Sequence, residues 1–232
     1  MIRFISLLIF VTSSCNKSIT ESMPVPATPK KYYYLALGDS YTIGEMVAPP
    51  DNFPNQLCAM MKNDTVDFQP ARIIAKTGWT TDELEAGIIA SAQQQPIRSS
   101  YDFVTLLIGV NNQYRGRPVD NYKPEFEELL KKAIRFAGNR PDRVAVLSIP
   151  DWGVTPFANG RDRAQIAAEI DAYNTANKQF TLHYNVHYID ITPWTRQAAN
   201  DMSLLAADGL HPSAKEYRRW AEELKLFFAS KL

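Results

Sequence analysis

From residue 32 onward, short apolar runs of strand length alternate with longer stretches in which apolar residues recur at helical spacing. Runs at 32–37, 68–75, 101–108, 143–149 and 186–191 predict extended segments, and 53–61, 80–93, 126–137, 164–184 and 213–228 predict helices. The run at 101–108 is almost unbroken, as expected of a strand covered on both faces, and this favours a parallel sheet. Phe126, Leu129, Leu130, Ala133, Ile134 and Ala137 form the apolar stripe of one helix, while Thr80 and Glu83 make a capping box for another. The alternation is that of one α/β domain over 32–232, a mostly parallel five-stranded sheet with helices on both faces. Ligands in such folds bind beyond the carboxyl ends of the strands, so the breaks at Gly38, Gly109, Pro150 and Thr192 are where chemistry is expected.

The first residues follow a different pattern. Arg3 precedes an apolar run at 4–11, which ends in Thr12-Ser13-Ser14-Cys15. That charge, length and small-residue exit predict a signal peptide over 1–14, and the run is too short to span a bilayer stably. The residues before Cys15 also resemble a bacterial lipoprotein processing site, with Thr12 where the motif usually has Leu. On that reading Cys15 is the lipidated first residue of the mature chain and attaches it to a membrane; an apolar N-terminal strand and an ordinary secretory leader are the alternatives, the lipoprotein site and the leader being the two that bear on location. Both readings predict export, to the cell envelope through a lipid anchor or to the periplasm or exterior. Residues 15–31, with three prolines and no periodic apolar pattern, read as a tether.

Composition narrows the partners. Lys and Arg number 25 and Asp and Glu 25, so the net charge is zero and no electrostatic footprint for nucleic acid exists. The three histidines, His183, His187 and His211, are scattered without metal-ligand spacing, and neither a metal nor an organic cofactor is expected. Cys58 falls within an apolar helix pattern and reads as a small buried hydrophobe.

Ser40 sits where the first strand turns toward a helix, a place that can hold a hydroxyl beyond the sheet edge; a capping or turn serine is the plainer alternative. Asp208 lies three residues before His211, close enough for its carboxylate to orient the imidazole as a base, although both residues also suit the start of the last helix. Two glycine-containing breaks offer donors for an oxyanion: the backbone at Gly78 and the side-chain amide of Asn111. Gly and Asn are also ordinary turn residues.

Gly38-Asp39-Ser40, Gly78, Gly109-Val110-Asn111 and Asp208-Gly209-Leu210-His211 resemble, in order, the four motif blocks of the SGNH hydrolases, also called the GDSL esterase/lipase family. The resemblance reaches from residue 32 to the last helix. It implies a three-layer, flavodoxin-like fold and a serine hydrolase working through an acyl-enzyme. Ser40 would be the nucleophile, His211 the base and Asp208 its orienting group, with the oxyanion held by the Ser40 amide, the Gly78 amide and Asn111. Two positions depart from the pattern: Tyr41 follows the serine where the family name has Leu, and Asn112 stands where Asp often follows the oxyanion asparagine.

The connections carrying Tyr41, Trp79, Tyr114, Arg115, Trp152 and Phe157 can wall a cleft, since aromatic rings suit an acyl tail or a sugar face. Of these, Tyr41, Trp79, Tyr114 and Trp152 are the expected substrate-binding residues. The implied substrate is a small ester, a short-chain acyl ester or a lysophospholipid, since a small domain without an evident lid insertion suits these better than bulk triglyceride; the run 109–116 resembles bacterial members described as SGNH/GDSL or lysophospholipase-like and does not choose among substrates. A carbohydrate O-acetylesterase and a noncatalytic, surface-tethered binding protein on the same fold are the alternatives.

Overall fold

The computed structural model describes residues 28–232; the expected leader, Cys15 and the tether as far as residue 27 lie outside the described residues. Its elements in chain order are β1 (Lys30–Tyr32), β2 (Tyr34–Asp39), α1 (Ser40–Ile43), α2 (Phe53–Met61), β3 (Val66–Phe68), β4 (Arg72–Lys76) and α3 (Thr81–Gln94). There follow β5 (Phe103–Leu107), α4 (Val110–Tyr114), α5 (Val119–Phe136), β6 (Val144–Leu147), α6 (Arg163–His183), β7 (His187–Ile189), α7 (Thr192–Thr195) and α8 (Ala214–Ala229).

Five strands form one sheet in the order β4-β2-β5-β6-β7, and every pairing in it is parallel. Each strand must therefore be followed by a crossover, and the intervening helices supply it. β2 is buried along its whole length and β5 likewise, which explains their largely apolar character. The extended segment expected at 68–75 is two strands. Val66–Phe68 pairs in parallel with Lys30–Tyr32 as a separate two-stranded ladder, and Arg72–Lys76 joins the main sheet. The end of the expected tether, Lys30 and Lys31, is thus strand, because its backbone finds partners in Val66 and Asp67.

The helices cover both faces. α2 and α8 pack together, and Phe228 of α8 stacks on Phe103 of β5 at 4.0 Å between ring centroids and meets Tyr34 and Phe68 edge-on and stacked, respectively. Alternation along the strands turns Leu35 and Val104 to the other face, where α5 packs between α3 and α6 and lies against β5. The capping box at Thr80 and Glu83 forms as expected. Ser213 caps α8 by accepting from the Glu216 amide.

The chain enters the sheet at β2, moves out to β4 and then returns to β5 on the opposite side of β2. The connections leaving β2 and β5 therefore diverge, and a crevice opens where they part. Ser40 follows β2 directly, and Gly109 follows β5 by two residues. Gly109 has φ of 131°, and a Cβ there would come within 2.7 Å of Ile149 and Tyr122, so only glycine makes this turn.

The aromatic stack centred on Phe228 holds α8 to the sheet. Phe228→Ala is expected to lower unfolding free energy by about 3–5 kcal/mol, measured by chemical denaturation; a loss below about 1 kcal/mol, less than burial of a Phe side chain alone contributes, would show that the stack does not hold α8 to the sheet.

Candidate active site

Three strand ends and one distant loop converge on a cleft of about 150 Å³ lined by Ser40, Gly78, Asn111 and His211, with Tyr41, Tyr114, Trp152, Phe157 and Leu210 forming much of its wall. Ser40 opens α1, whose N-cap Asp39 accepts from the Tyr41 amide at 3.0 Å. First-turn amides have no acceptor within their own helix, so the Ser40 N–H is available to a ligand. Among the described residues no hydrogen bond joins the Ser40 hydroxyl to the His211 ring, although both face the same cleft. Such contacts are often long without substrate and tighten when it binds.

The base is held from behind. Asp208 Oδ2 meets His211 Nδ1 at 2.5 Å, and Oδ1 accepts from the backbone amides of Leu210 and His211, each at 3.0 Å. One carboxylate thus fixes both the ring and the backbone that carries it. Burial pushes the Asp208 pKa up, but the hydrogen bonds from the His211 ring and from the His211 and Leu210 amides outweigh it and hold the carboxyl below its ordinary range. A bond from the Ala206 amide to the His211 carbonyl at 2.7 Å and a bridge between Leu205 and Pro212 close the loop at its base. Tyr41 lies under the imidazole, with ring centroids 5.1 Å apart.

On the opposite side, Gly78 adopts a φ of 83° and its carbonyl accepts from Arg115 Nη2 at 2.6 Å. Arg115 also pairs with Glu83, so this side chain, expected as a cleft wall, acts as a brace for the Gly78 turn. The Gly78 amide has no protein acceptor among the described residues and lies at the cleft. The Asn111 amide donates to the Trp79 carbonyl at 3.0 Å and lies 3.4 Å from Asp39 Oδ2. Both neighbours are acceptors, which fixes Nδ2 as the atom facing them.

Of the expected substrate-binding residues, Tyr41, Tyr114 and Trp152 line the cleft. Trp152 is held rigidly, its Nε1 donating to Gln113 Oε1 at 2.7 Å while Gln113 Nε2 donates to Glu169 at 2.7 Å. Trp79 does not line the cleft. Its ring fills the space over Gly87 of α3, where a Cβ would come within 2.0 Å of it, and it contributes only its carbonyl, to Asn111. Sequence reasoning missed Thr77, Val110 and Leu210 as lining residues, because none carries a side chain with distinctive chemistry.

It also missed the Asp39 carboxylate, although Asp39 stands inside the first motif block. Burial raises its pKa to about 7, against the lowering effect of hydrogen bonds from the Tyr41 amide and its own. Asn112, in place of the family's Asp, clasps Thr81: its Oδ1 accepts from the Thr81 amide at 3.1 Å and its Nδ2 donates to the Thr81 hydroxyl at 2.7 Å. A carboxylate has no proton to give that hydroxyl, so the amide is what makes the contact two-way.

Residues 36–219 match the GDSL-like Lipase/Acylhydrolase family. No curated protein matches the sequence. Solved structures share the fold at low identity. A psychrotrophic esterase from Pseudoalteromonas sp. is 18% identical over 86% of this chain and 97% of its own, with a TM-score of 0.63. A lipase/acylhydrolase from Enterococcus faecalis is 21% identical over 87% and 97%, at 0.61. A catalytic mutant of an acetylxylan esterase from Geobacillus stearothermophilus is 15% identical over 88% and 96%, at 0.63.

A carboxyl whose folded pKa is raised binds its proton more tightly in the folded chain, so its stabilising contribution is full below the unfolded value near 3.8 and is lost as pH rises through about 7. Asn at position 39 keeps the cap on the Tyr41 amide but carries no proton to lose. Asp39→Asn should therefore gain in Tm relative to the parent protein between pH 5 and pH 8. A Tm difference that stays constant across that range would show that Asp39 does not titrate there.

Proposed function

The chain belongs to the GDSL-like lipase/acylhydrolase family and is an SGNH-type ester hydrolase; from that premise we infer that it cleaves carboxylic esters through an acyl-enzyme formed on Ser40. The observation that carries this reading is one cleft shared by Ser40, His211, Gly78 and Asn111, with His211 fixed by Asp208 from outside it.

In the first half-reaction the Ser40 hydroxyl attacks the ester carbonyl while His211 Nε2 takes its proton. Asp208 keeps Nδ1 protonated, so Nε2 is the basic nitrogen, and it stabilises the imidazolium that forms. The carbonyl oxygen gains negative charge and is received by the amides of Ser40 and Gly78 and by the side-chain amide of Asn111. For the last of these, one Nδ2 proton stays on the Trp79 carbonyl and the other leaves its long contact with Asp39 for the oxyanion. His211 then gives its proton to the departing alkoxide, and the alcohol leaves. Water repeats the sequence on the acyl-enzyme, releasing the acid and restoring Ser40.

The modest cleft supports a small substrate, a short-chain acyl ester, with a lysophospholipid as the longer alternative. Its aromatic wall of Tyr114, Trp152 and Phe157 gives equal support to an acetylated sugar. The reading includes export of the protein and attachment to a membrane through Cys15, supported by the sequence around that residue.

An ester panel of p-nitrophenyl acyl esters, acetylated sugars and lysophospholipids tests the reaction. Ser40→Ala should abolish turnover of whichever esters are cleaved while the fold persists by circular dichroism; turnover retained in the purified variant would remove Ser40 from the role. Asn111→Ala should lower kcat by roughly 10²-fold or more, since one oxyanion donor is lost, and an unchanged kcat would exclude that donor.

A further inference from the structure

The outer end of the aromatic wall carries a cation that the mechanism does not use. Tyr114, Trp152 and Phe157 pack on one another with centroids 5.3 to 6.0 Å apart, and all three line the cleft. The Arg161 guanidinium lies over two of these rings, 5.5 Å from Tyr114 and 6.0 Å from Trp152. Arg161 is exposed, and among the described residues its side chain makes no ion pair and no hydrogen bond. Its neighbours at the rim are engaged otherwise: Arg115 pairs with Glu83 and holds the Gly78 carbonyl, and Arg163 holds the Thr155 carbonyl and Asn159 Oδ1.

The segment bearing Arg161 is fixed in place. The Arg161 amide bonds to the Ala158 carbonyl at 3.0 Å, closing a turn through Gly160, and the Phe157 amide bonds to the Gly209 carbonyl at 3.3 Å, beside the base. The backbone that carries the cation is thus fixed relative to the reacting centre, the guanidinium rests over the rings, and its five N–H donors are free for a ligand. Stacking on aromatic faces is favourable for a guanidinium and leaves its edge open to a planar or tetrahedral anion.

Resting on the hydrolase reading above, we propose that Arg161 is a specificity residue and that the preferred substrate is an ester bearing an anionic group, carboxylate or phosphate, on the arm that runs out along Tyr114, Trp152 and Phe157. The neutral part of that arm lies against the rings and the anion meets the guanidinium at their outer end. Carboxylate and phosphate offer the same acceptor chemistry to an arginine fork.

Two matched pairs of esters test this. The first places the anion on the acyl arm, p-nitrophenyl hemiglutarate against p-nitrophenyl valerate. The second places a phosphate on the alcohol arm, monobutyryl glycerol phosphate against monobutyrylglycerol. In one pair the anionic member should have the higher kcat/KM, and Arg161→Gln should lower that value about tenfold while leaving the neutral member unchanged. Arg161→Glu should invert the preference, and 0.5 M salt should narrow it in the parent protein. Arg218→Gln, on an exposed turn of α8, should leave both members alone. Anionic-to-neutral ratios that neither Arg161 variant moves, in a protein whose turnover depends on Ser40, would overturn the proposal and leave the hydrolase reading standing. Absence of turnover on all four esters and on the wider panel would overturn both.

Discussion

Parallel pairing around β2 is the constraint from which the site follows. Gly38 stands opposite Ala75 of β4 on one side and Leu107 of β5 on the other, so the three strands end at nearly the same height. A parallel ladder admits no hairpin, and each strand must pass its chain outward and away before the next begins. The residues that leave these ends, Ser40, Gly78 and Asn111, are brought beside one another by register alone, although 71 positions separate the first from the last. β2 and β5, buried on both faces, give the ladder its rigid centre, and that rigidity is what an oxyanion site requires of its donors. His211 comes from outside the sheet, and for that reason its loop needs its own fastening. Asp208 supplies it through three hydrogen bonds from two residues.

The electrostatics of the cleft divide between groups that ionise and groups that do not. Asp208 is kept charged by the donors around it, whereas Asp39, one residue from the nucleophile, is pushed toward neutrality by burial. Asn111 sets an uncharged amide against Asp39, and Asn112 sets another against Thr81. The clasp of Asn112 on Thr81 joins α4 to the start of α3 through uncharged groups on both sides of the contact, and the Thr81 hydroxyl donates its own hydrogen bond to the Glu125 carboxylate.

The order of strands and helices was legible because apolar periodicity reports burial directly, and the largely apolar runs in β2 and β5 marked them as central. The candidate site was legible through glycine and asparagine after strand ends, where few residue types meet the backbone and donor requirements, and through an Asp-His pair three residues apart before the last helix. The split into β3 and β4 was not, because a break between two extended segments leaves no change of period at 69–71. Trp79 was misplaced for a related reason. Its neighbour Gly78 belongs at the cleft, but the space that takes its ring is made by Gly87 on the next helix, and no local pattern reveals such a long-range vacancy. Arg115 and Arg161 look alike in sequence, and only the presence of Glu83 beside one and two aromatic rings beneath the other separates a brace from an available charge.

Cys58 shows what close packing does to reactivity. It is buried in α2, and burial raises its thiol to about 12. At neutral pH only roughly one molecule in 10⁵ then carries the thiolate, the form that attacks disulfides and reacts with oxidants. Held in that state, the Cys58 thiol neither crosslinks to neighbouring chains nor takes up alkylating reagents while α2 stays packed. Among the described residues no thiol lines the cleft, and a serine-directed probe reads Ser40 without interference from Cys58.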